Sequence, residues 1–431
     1  MDDLYKLNEG CSFFPYDGLQ HETSFIVRSP DNRHFKVSSL ARELLLSLDG
    51  RTTLEEISSK LNARCVSVSA DELRTLVSTK YHPLGIVEDT ARPGRTGELK
   101  PMSLPFLLHW DLIAAKHVGA VARCLQFMFS RPAVVPGLLL TVVAHYVVYF
   151  GYSRPEFLSH AGFLWVLMLS LLSVLWHEFG HASAVARYGG SPGKIGFGLF
   201  VLLPSFYADV SEIWRFPRRQ RMTVDLAGVY FQEVFFVGSA VMGVFTSAPE
   251  YFVVCRFIDL MVLLTLNPVF QFDGYWFLAD WLALPNLYRL ALGHLVGSVR
   301  RLFNRDRAQS TLRHSMSRRA YVVFVVYAAV CNVFLAGVAW LSYRYLYSTF
   351  AKVHIILPAV FASMIFAFKT HDLALLINKF LTLFFVVAFP ATALTGISRY
   401  ARLLARYALR KYQDVRLARG YRHPEVPRAS S

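Results

Sequence analysis

The chain is short of charge. Only 17% of its 431 residues are Asp, Glu, Lys or Arg, against roughly 25% in an ordinary soluble domain. A string of ordinary soluble domains is thereby disfavoured. Paired cysteines are also missing. Cys11, Cys65, Cys124, Cys255 and Cys331 are scattered along the chain, which excludes a disulfide framework and a cysteine-type zinc finger and leaves five small hydrophobes. The first residues, MDDLYKLNEG, have neither a basic n-region nor an apolar h-region. No cleavable signal peptide is expected, and residues 1 to about 100 are expected to stay in the cytoplasm. Acidic residues are outnumbered, 30 against 45 basic, for a net charge of +15. The excess flanks apolar runs or falls in 286–320 and 399–422. That is the pattern of cytoplasmic loops in a membrane protein rather than of a nucleic-acid binder.

What the chain has in abundance is apolar sequence, 54% of all residues. Long runs predict membrane spans at 133–151, 161–183, 224–247, 251–271, 321–343, 353–368 and 380–397, since a span needs about 20 mainly apolar residues. The run 195–207 is too short for a span and holds Gly196, Gly198 and Pro204; a re-entrant or strand-like segment is expected. Basic loops place 212–223, 286–320 and the tail in the cytoplasm, although seven spans would put the tail outside. The expected fold is mainly α, a polytopic helical membrane bundle of about 6–7 spans with a small N-terminal α/β domain. A multi-pass protein of a bacterial inner membrane is expected, with the lipid bilayer as a partner.

Before the spans, Phe25-Ile26-Val27 and His34 to Val37 alternate like strands around a turn at Ser29 to Asn32. Ser39 opens a helix through Leu44, Leu45 and Leu46. Thr53 and Glu56 read as a capping box for a second helix. Ser69 opens a third, and Leu84 to Val87 reads as a closing strand. Residues 91–103 are a linker with Pro93, Gly94, Gly97 and Pro101, and 104–130 mix apolar and basic residues as an interfacial helix would. The expected division is 1–92 domain, 93–132 linker and interfacial helix, 133–285 catalytic membrane core, 286–320 basic cytoplasmic loop, 321–397 C-terminal membrane helices and 398–431 basic tail.

The chemistry is carried by His177-Glu178-Phe179-Gly180-His181. Two histidines four apart on a helix share a face, so both can reach one zinc, and the Glu beside the first stands near a water on that metal. Such polar residues are costly at membrane depth unless they face a cavity or a metal. Zinc needs a third protein ligand. Asp273 is the candidate, in Asn267-Pro268-Val269-Phe270-Gln271-Phe272-Asp273-Gly274, where Pro268 breaks the helix and Gly274 is expected to let the chain turn.

HExxH closing one span and Asn-Pro-(four residues)-Asp-Gly closing a later one resemble the site-2 protease family of intramembrane zinc metalloproteases. The stretches LPSFYADVSEIWRFPRRQR, DLAG and FDGYWFLADWLALPNL are similar to its peptide zinc metalloprotease branch. The resemblance covers roughly 160–290 and implies Zn2+ on His177, His181 and Asp273, Glu178 as catalytic base and Asn267 as a substrate-binding residue. Val269-Phe270-Gln271-Phe272 departs from the Pro and Leu that many members place before Asp-Gly. SSLARELLLSLDGRTTLEEISSKL, followed by LGIV, resembles the PqqD-like peptide-recognition domain, which implies a winged-helix fold for the N-terminal α/β domain and recruitment of a ribosomally made peptide.

The expected function is therefore hydrolysis of a peptide bond in a peptide or membrane-protein substrate, with maturation of a modified peptide as one outcome. The alternatives are a signalling protease that cuts a membrane-bound regulator and a non-hydrolytic peptide exporter or immunity protein. Glu233, within a predicted span, is a candidate member of a polar network. Arg256 and Asp259, three apart on one helix, are expected to pair. His145 and the other histidines lack ligand spacing and receive no role. Oligomeric state is not set by the sequence.

Overall fold

In the computed structural model the described residues are 4–16, 24–30, 33–63, 68–90, 106–152, 158–200, 203–284, 287–288, 290–294, 316–373, 375–380 and a few isolated positions beyond. They form two units, Met1–Pro285 and Asn286–Ser431.

The first unit starts with two short strands, β1 (Tyr5–Leu7) and β2 (Ser12–Tyr16), ahead of the two that alternation predicts, β3 (Ser24–Arg28) and β4 (His34–Ser38). The antiparallel sheet runs β2-β3-β4. Three helices follow, α1 (Ser39–Ser47), α2 (Leu54–Asn62) and α3 (Ala70–Leu76). α1 is capped by Ser38, one residue before the expected start. Thr53 accepts from the Glu56 N–H at α2, but the reciprocal capping box forms at α3, between Ser69 and Glu72. The closing strand, expected over Leu84 to Val87, lies later, as β5 (Val87–Asp89), and pairs with β1. Val27, Leu44, Leu45, Leu54, Ile57 and Leu73 pack into the core of this region.

The linker 91–103 lies outside the described residues. The interfacial helix expected over 104–130 is confined to α4 (Ala115–Leu125); Phe106–Ile113 is instead a strand, β6. The reason is tertiary. β7 (Ile195–Phe200) and β8 (Leu203–Ala208) make a hairpin whose free edge at β7 supplies backbone partners for β6, giving the order β6-β7-β8. The strand-like character expected of 195–207 is thus observed. Asp111 on β6 lies outside the spanning helices. A hydrogen bond from Lys194 Nζ, at 2.7 Å, holds its carboxyl below the usual range, aided by the Tyr207 hydroxyl at 3.0 Å.

Helices of membrane-spanning length and apolarity come next. α5 (Arg131–Tyr146), with its extension to Gly151, α6 (His160–Arg187) and α7 (Arg218–Thr246) are three of them. α8 (Pro249–Thr265) is shorter than the expected span 251–271, because Pro268 stops the helix. α9 (Asp273–Leu282) follows. Leu138, Leu139, Val142 and Val143 on α5, Leu171 and Leu172 on α6, and Leu260 and Leu263 on α8 are exposed. Apolar faces of this extent suit contact with lipid.

In the second unit, α10 (Arg318–Lys369) is one unbroken helix of 52 residues. The spans expected separately at 321–343 and 353–368 both lie on it. Its first part, Arg318–Gly337, is the fourth helix of spanning length and composition among the described residues, and His354–Lys369 is a shorter apolar stretch. Four such helices are fewer than the 6–7 expected. Most of 286–320, 380–397 and 398–431 lies outside the described residues.

Candidate metal centre

The site is built on the crossing of α6 and α7. HEFGH sits inside α6, six residues before its end at Arg187. The helical repeat brings His177 and His181 to one face, with ring centroids 4.8 Å apart. His177, Glu178 and His181 are all buried. Gly180 allows the approach of α7, since a Cβ there would stand 2.4 Å from the Ala227 carbonyl oxygen.

α7 contributes a stripe at positions 224, 228 and 232, four residues apart. The Val224 carbonyl oxygen lies 2.7 Å from His181 Nδ1. A carbonyl only accepts, so that Nδ1 carries a proton. Gln232 Oε1 accepts from His177 Nδ1 at 3.1 Å. Both imidazoles are thus held with Nε2 directed inward. Gly228 faces the His177 ring: an added Cβ would lie 2.4 Å from Nε2.

The third donor arrives from another part of the chain. After α8, Asn267 Oδ1 accepts from the Val269 N–H at 3.0 Å and folds the turn at Pro268. Asp273 is then the first residue of α9. Gly274 serves close approach rather than a left-handed turn. Its φ is not positive, and a Cβ there would meet the Leu266 carbonyl oxygen at 2.1 Å. The far end of α9 is fixed by Asp280, which accepts from Arg221 Nε at 2.9 Å through each carboxylate oxygen. Arg221 is only 1% exposed and also donates to the Phe216 carbonyl. Asp225, one turn further along α7, is buried.

The result is a compact set of donors. His177 Nε2 and His181 Nε2 are 3.0 Å apart, and Asp273 Oδ2 lies 3.1 Å from the first and 3.2 Å from the second. Ligands around a tetrahedral zinc, at about 2.0–2.1 Å, are roughly 3.3 Å from one another. Asp273 Oδ2 is buried, and neither of these contacts has hydrogen-bond geometry. With protons on both Nδ1 atoms, three lone-pair donors converge on one point. Left alone they repel; a cation makes them favourable. The donor set fits zinc.

Glu178 lies in the same electrostatic environment as His177, His181 and Asp273, with the Ala208 main-chain N–H at the end of β8 directed to its carboxylate. The structure thus brings together the three predicted ligands and the predicted base. Asn267 lies six residues before Asp273, with its side-chain oxygen committed to the turn. Glu233 faces away from this group and into a second one. Sequence reasoning missed the α7 stripe. Its signal, a small residue and an amide four apart, is visible only once α6 is known to cross there.

A protein of Bacillus subtilis (strain 168) named "Putative peptide zinc metalloprotease protein YydH" is 25% identical over 135 residues, 30% of this chain. The aligned part spans about half, 54%, of that relative's length. No family model and no solved structure matches. The likeness supports a metalloprotease reading and points to zinc.

Proposed function

We propose that the chain is an intramembrane zinc metalloendopeptidase of the site-2 protease type, cutting a membrane-associated or ribosomally made peptide. The observation that carries this reading is the convergence of His177, His181 and Asp273 within 3.0–3.2 Å of one another beside Glu178, on a helix of membrane-spanning length. These three residues would hold the metal. When bound, zinc would supply Lewis acidity toward a water and toward the scissile carbonyl.

Glu178 takes a proton from the attacking water as the new C–O bond forms. It returns that proton to the departing nitrogen as the C–N bond breaks, leaving a carboxylate and an amine. Gln232 and Val224 keep both histidines in the ligand tautomer throughout. Asn267 orients the substrate backbone, its own rotation fixed by the Val269 N–H. An extended substrate pairs along the outer edge of β8, where backbone groups have no fourth strand among the described residues. That edge ends at Ala208, next to Glu178. The N-terminal domain, with its PqqD-like order of elements, recruits the peptide and raises its local concentration.

The test is cleavage of an unfolded apolar polypeptide pool in detergent micelles, read as new N-termini by mass spectrometry. Zinc-loaded wild type is compared with Glu178→Gln and His177→Ala. New termini are expected with wild type alone. Equal cleavage by Glu178→Gln would overturn the mechanism.

A further inference from the structure

A second group of metal-ligating side chains lies between α5, α7 and α8. It contains His145, Glu233 and Asp259, whose donor atoms are all within 4.8 Å of one another. None of the three belongs to the centre described above. His145 Nδ1 is 2.8 Å from the Thr141 carbonyl oxygen, which can only accept, so Nδ1 carries a proton and Nε2 is turned outward. The ring is clamped in that orientation by Phe236, stacked with centroids 4.0 Å apart and planes within 8°.

Nε2 faces two carboxylates: Asp259 Oδ1, in hydrogen-bond contact at 3.0 Å, and Glu233 Oε2 at 3.9 Å. Asp259 Oδ2 accepts from the Tyr149 hydroxyl. Glu233 Oε2 is buried and has no hydrogen-bond partner. Arg256 is the nearest cationic side chain on α8, but its guanidinium donates to the Tyr152 carbonyl at 2.9 Å, and the pairing with Asp259 expected from sequence does not form. Among the described residues neither carboxylate has an ion pair with Lys or Arg. The surroundings are apolar, with Ala144, Val148, Phe236, Cys255, Ile258 and Val262 packed together.

Two carboxylates in such a place need compensation. Once a cation takes the place of any Nε2 proton, the imidazole and two carboxylates carry two negative charges, which a single divalent cation balances. The donor set, one nitrogen and two oxygens, suits a first-row metal such as zinc or manganese. The second contacts around it also have the form of a metal site: a carbonyl on the distal imidazole nitrogen and a hydroxyl on the spare carboxylate oxygen. We infer that His145, Glu233 and Asp259 form a second divalent-cation site, separate from the HEFGH centre and shared by α5, α7 and α8. It ties these three helices together as one cross-link within the apolar part of the bundle.

The experiment is zinc content of the full chain in detergent, after equilibration with Zn2+ and removal of loosely held metal. Wild type is expected to retain about two zinc per chain, and His145→Ala, Glu233→Gln and Asp259→Asn about one each. His177→Ala should also retain about one, and His177→Ala combined with Glu233→Gln none. Retention of the HEFGH zinc reports that a variant is folded, and Glu233→Gln, which preserves shape, decides if the others do not fold. Wild type at one zinc, lost in His177→Ala, would overturn the second site and leave the protease reading standing. Equal zinc in wild type, Glu233→Gln and Asp259→Asn would overturn it as well, and would mean that the cluster is balanced by protons instead. Loss on Glu233→Gln with none on His177→Ala would support the second site and count against the first.

Discussion

Two histidine–carboxylate groups flank α7, and they differ in how they are assembled. At the HEFGH centre both imidazoles come from one helix, and the three donors form a nearly equilateral triangle of 3.0–3.2 Å. At the second group each donor comes from a different helix, and Nε2 to carboxylate distances are uneven, 3.0 and 3.9 Å. The first uses a side chain, Gln232, and a backbone carbonyl to set its tautomers; the second uses a backbone carbonyl and a stacked ring. Only the first has a carboxylate beside the donors that is not itself one of them, Glu178. A reaction needs such a group as base, whereas a site that only holds a cation does not. The contrast separates a centre suited to chemistry from one suited to cross-linking helices.

The sharpest way to break this contrast is to treat the two glutamates alike. Glu178→Gln should lower hydrolysis by about 10²–10⁴-fold, the usual range for a general acid–base group, while zinc content stays at the wild-type value. Glu233→Gln should reduce zinc content and leave some hydrolysis. The same kinetic loss in both would dissolve the distinction.

The next largest effect is expected at Gly228. Alanine there would place a methyl 2.4 Å from His177 Nε2, so the HEFGH zinc should be lost, with overpacking costing about 1–3 kcal/mol in thermal stability. Metal analysis in a His145→Ala background reads that zinc alone; full retention would mean that α7 does not approach the ring. Gln232→Leu should be milder, weakening zinc at the first centre by roughly 10–100-fold, as for other groups that hold a metal-binding histidine. Competition with a chelator measures it, and an unchanged affinity would remove Gln232 from the centre.

The smallest effect should come from Ser69→Ala, at the start of α3, which carries no donor of either group. It removes the Ser69–Glu72 cap of α3 and should cost about 1 kcal/mol. A shift confined to a thermal transition of the N-terminal region, with zinc content unchanged, is the expected outcome. A change at either metal group would show that α3 is coupled to the core beyond the contacts already made there by Tyr16 on Arg221 and Arg28 with Glu212.

How much of this is legible in sequence differs between the regions for the same reason. HEFGH is readable because a helix fixes the faces of residues four apart whatever surrounds it. Asp273 is readable as a candidate because Pro268 and Gly274 mark a break in an apolar run, although the need for glycine turned out to be contact with Leu266 rather than a turn. The caps at Thr53 and Ser69 are local, and the sequence alone identifies both residues. β6 reads as helical in sequence because its mix of apolar and basic neighbours resembles an interfacial helix, and its hydrogen-bond partner lies more than 80 residues away on β7. Sequence gives His145 no role because Asp259 is 114 residues distant, and it suggests the Arg256–Asp259 pair because those two are close along the chain.

The sequence by itself determined the apolar character of the chain, the helix that carries both histidines and Glu178, and the chain break that delivers an aspartate. Each depends on residues within one or two turns of one another, where backbone geometry leaves little choice. The tertiary structure alone decided that Val224, Gly228 and Gln232 would back those histidines, that Arg221 would secure α9 through Asp280, and that His145, Glu233 and Asp259 would meet. Those contacts depend on which faces of separate helices pack together, and that is settled by the fit of whole surfaces rather than by the spacing of residues along a strand or a turn.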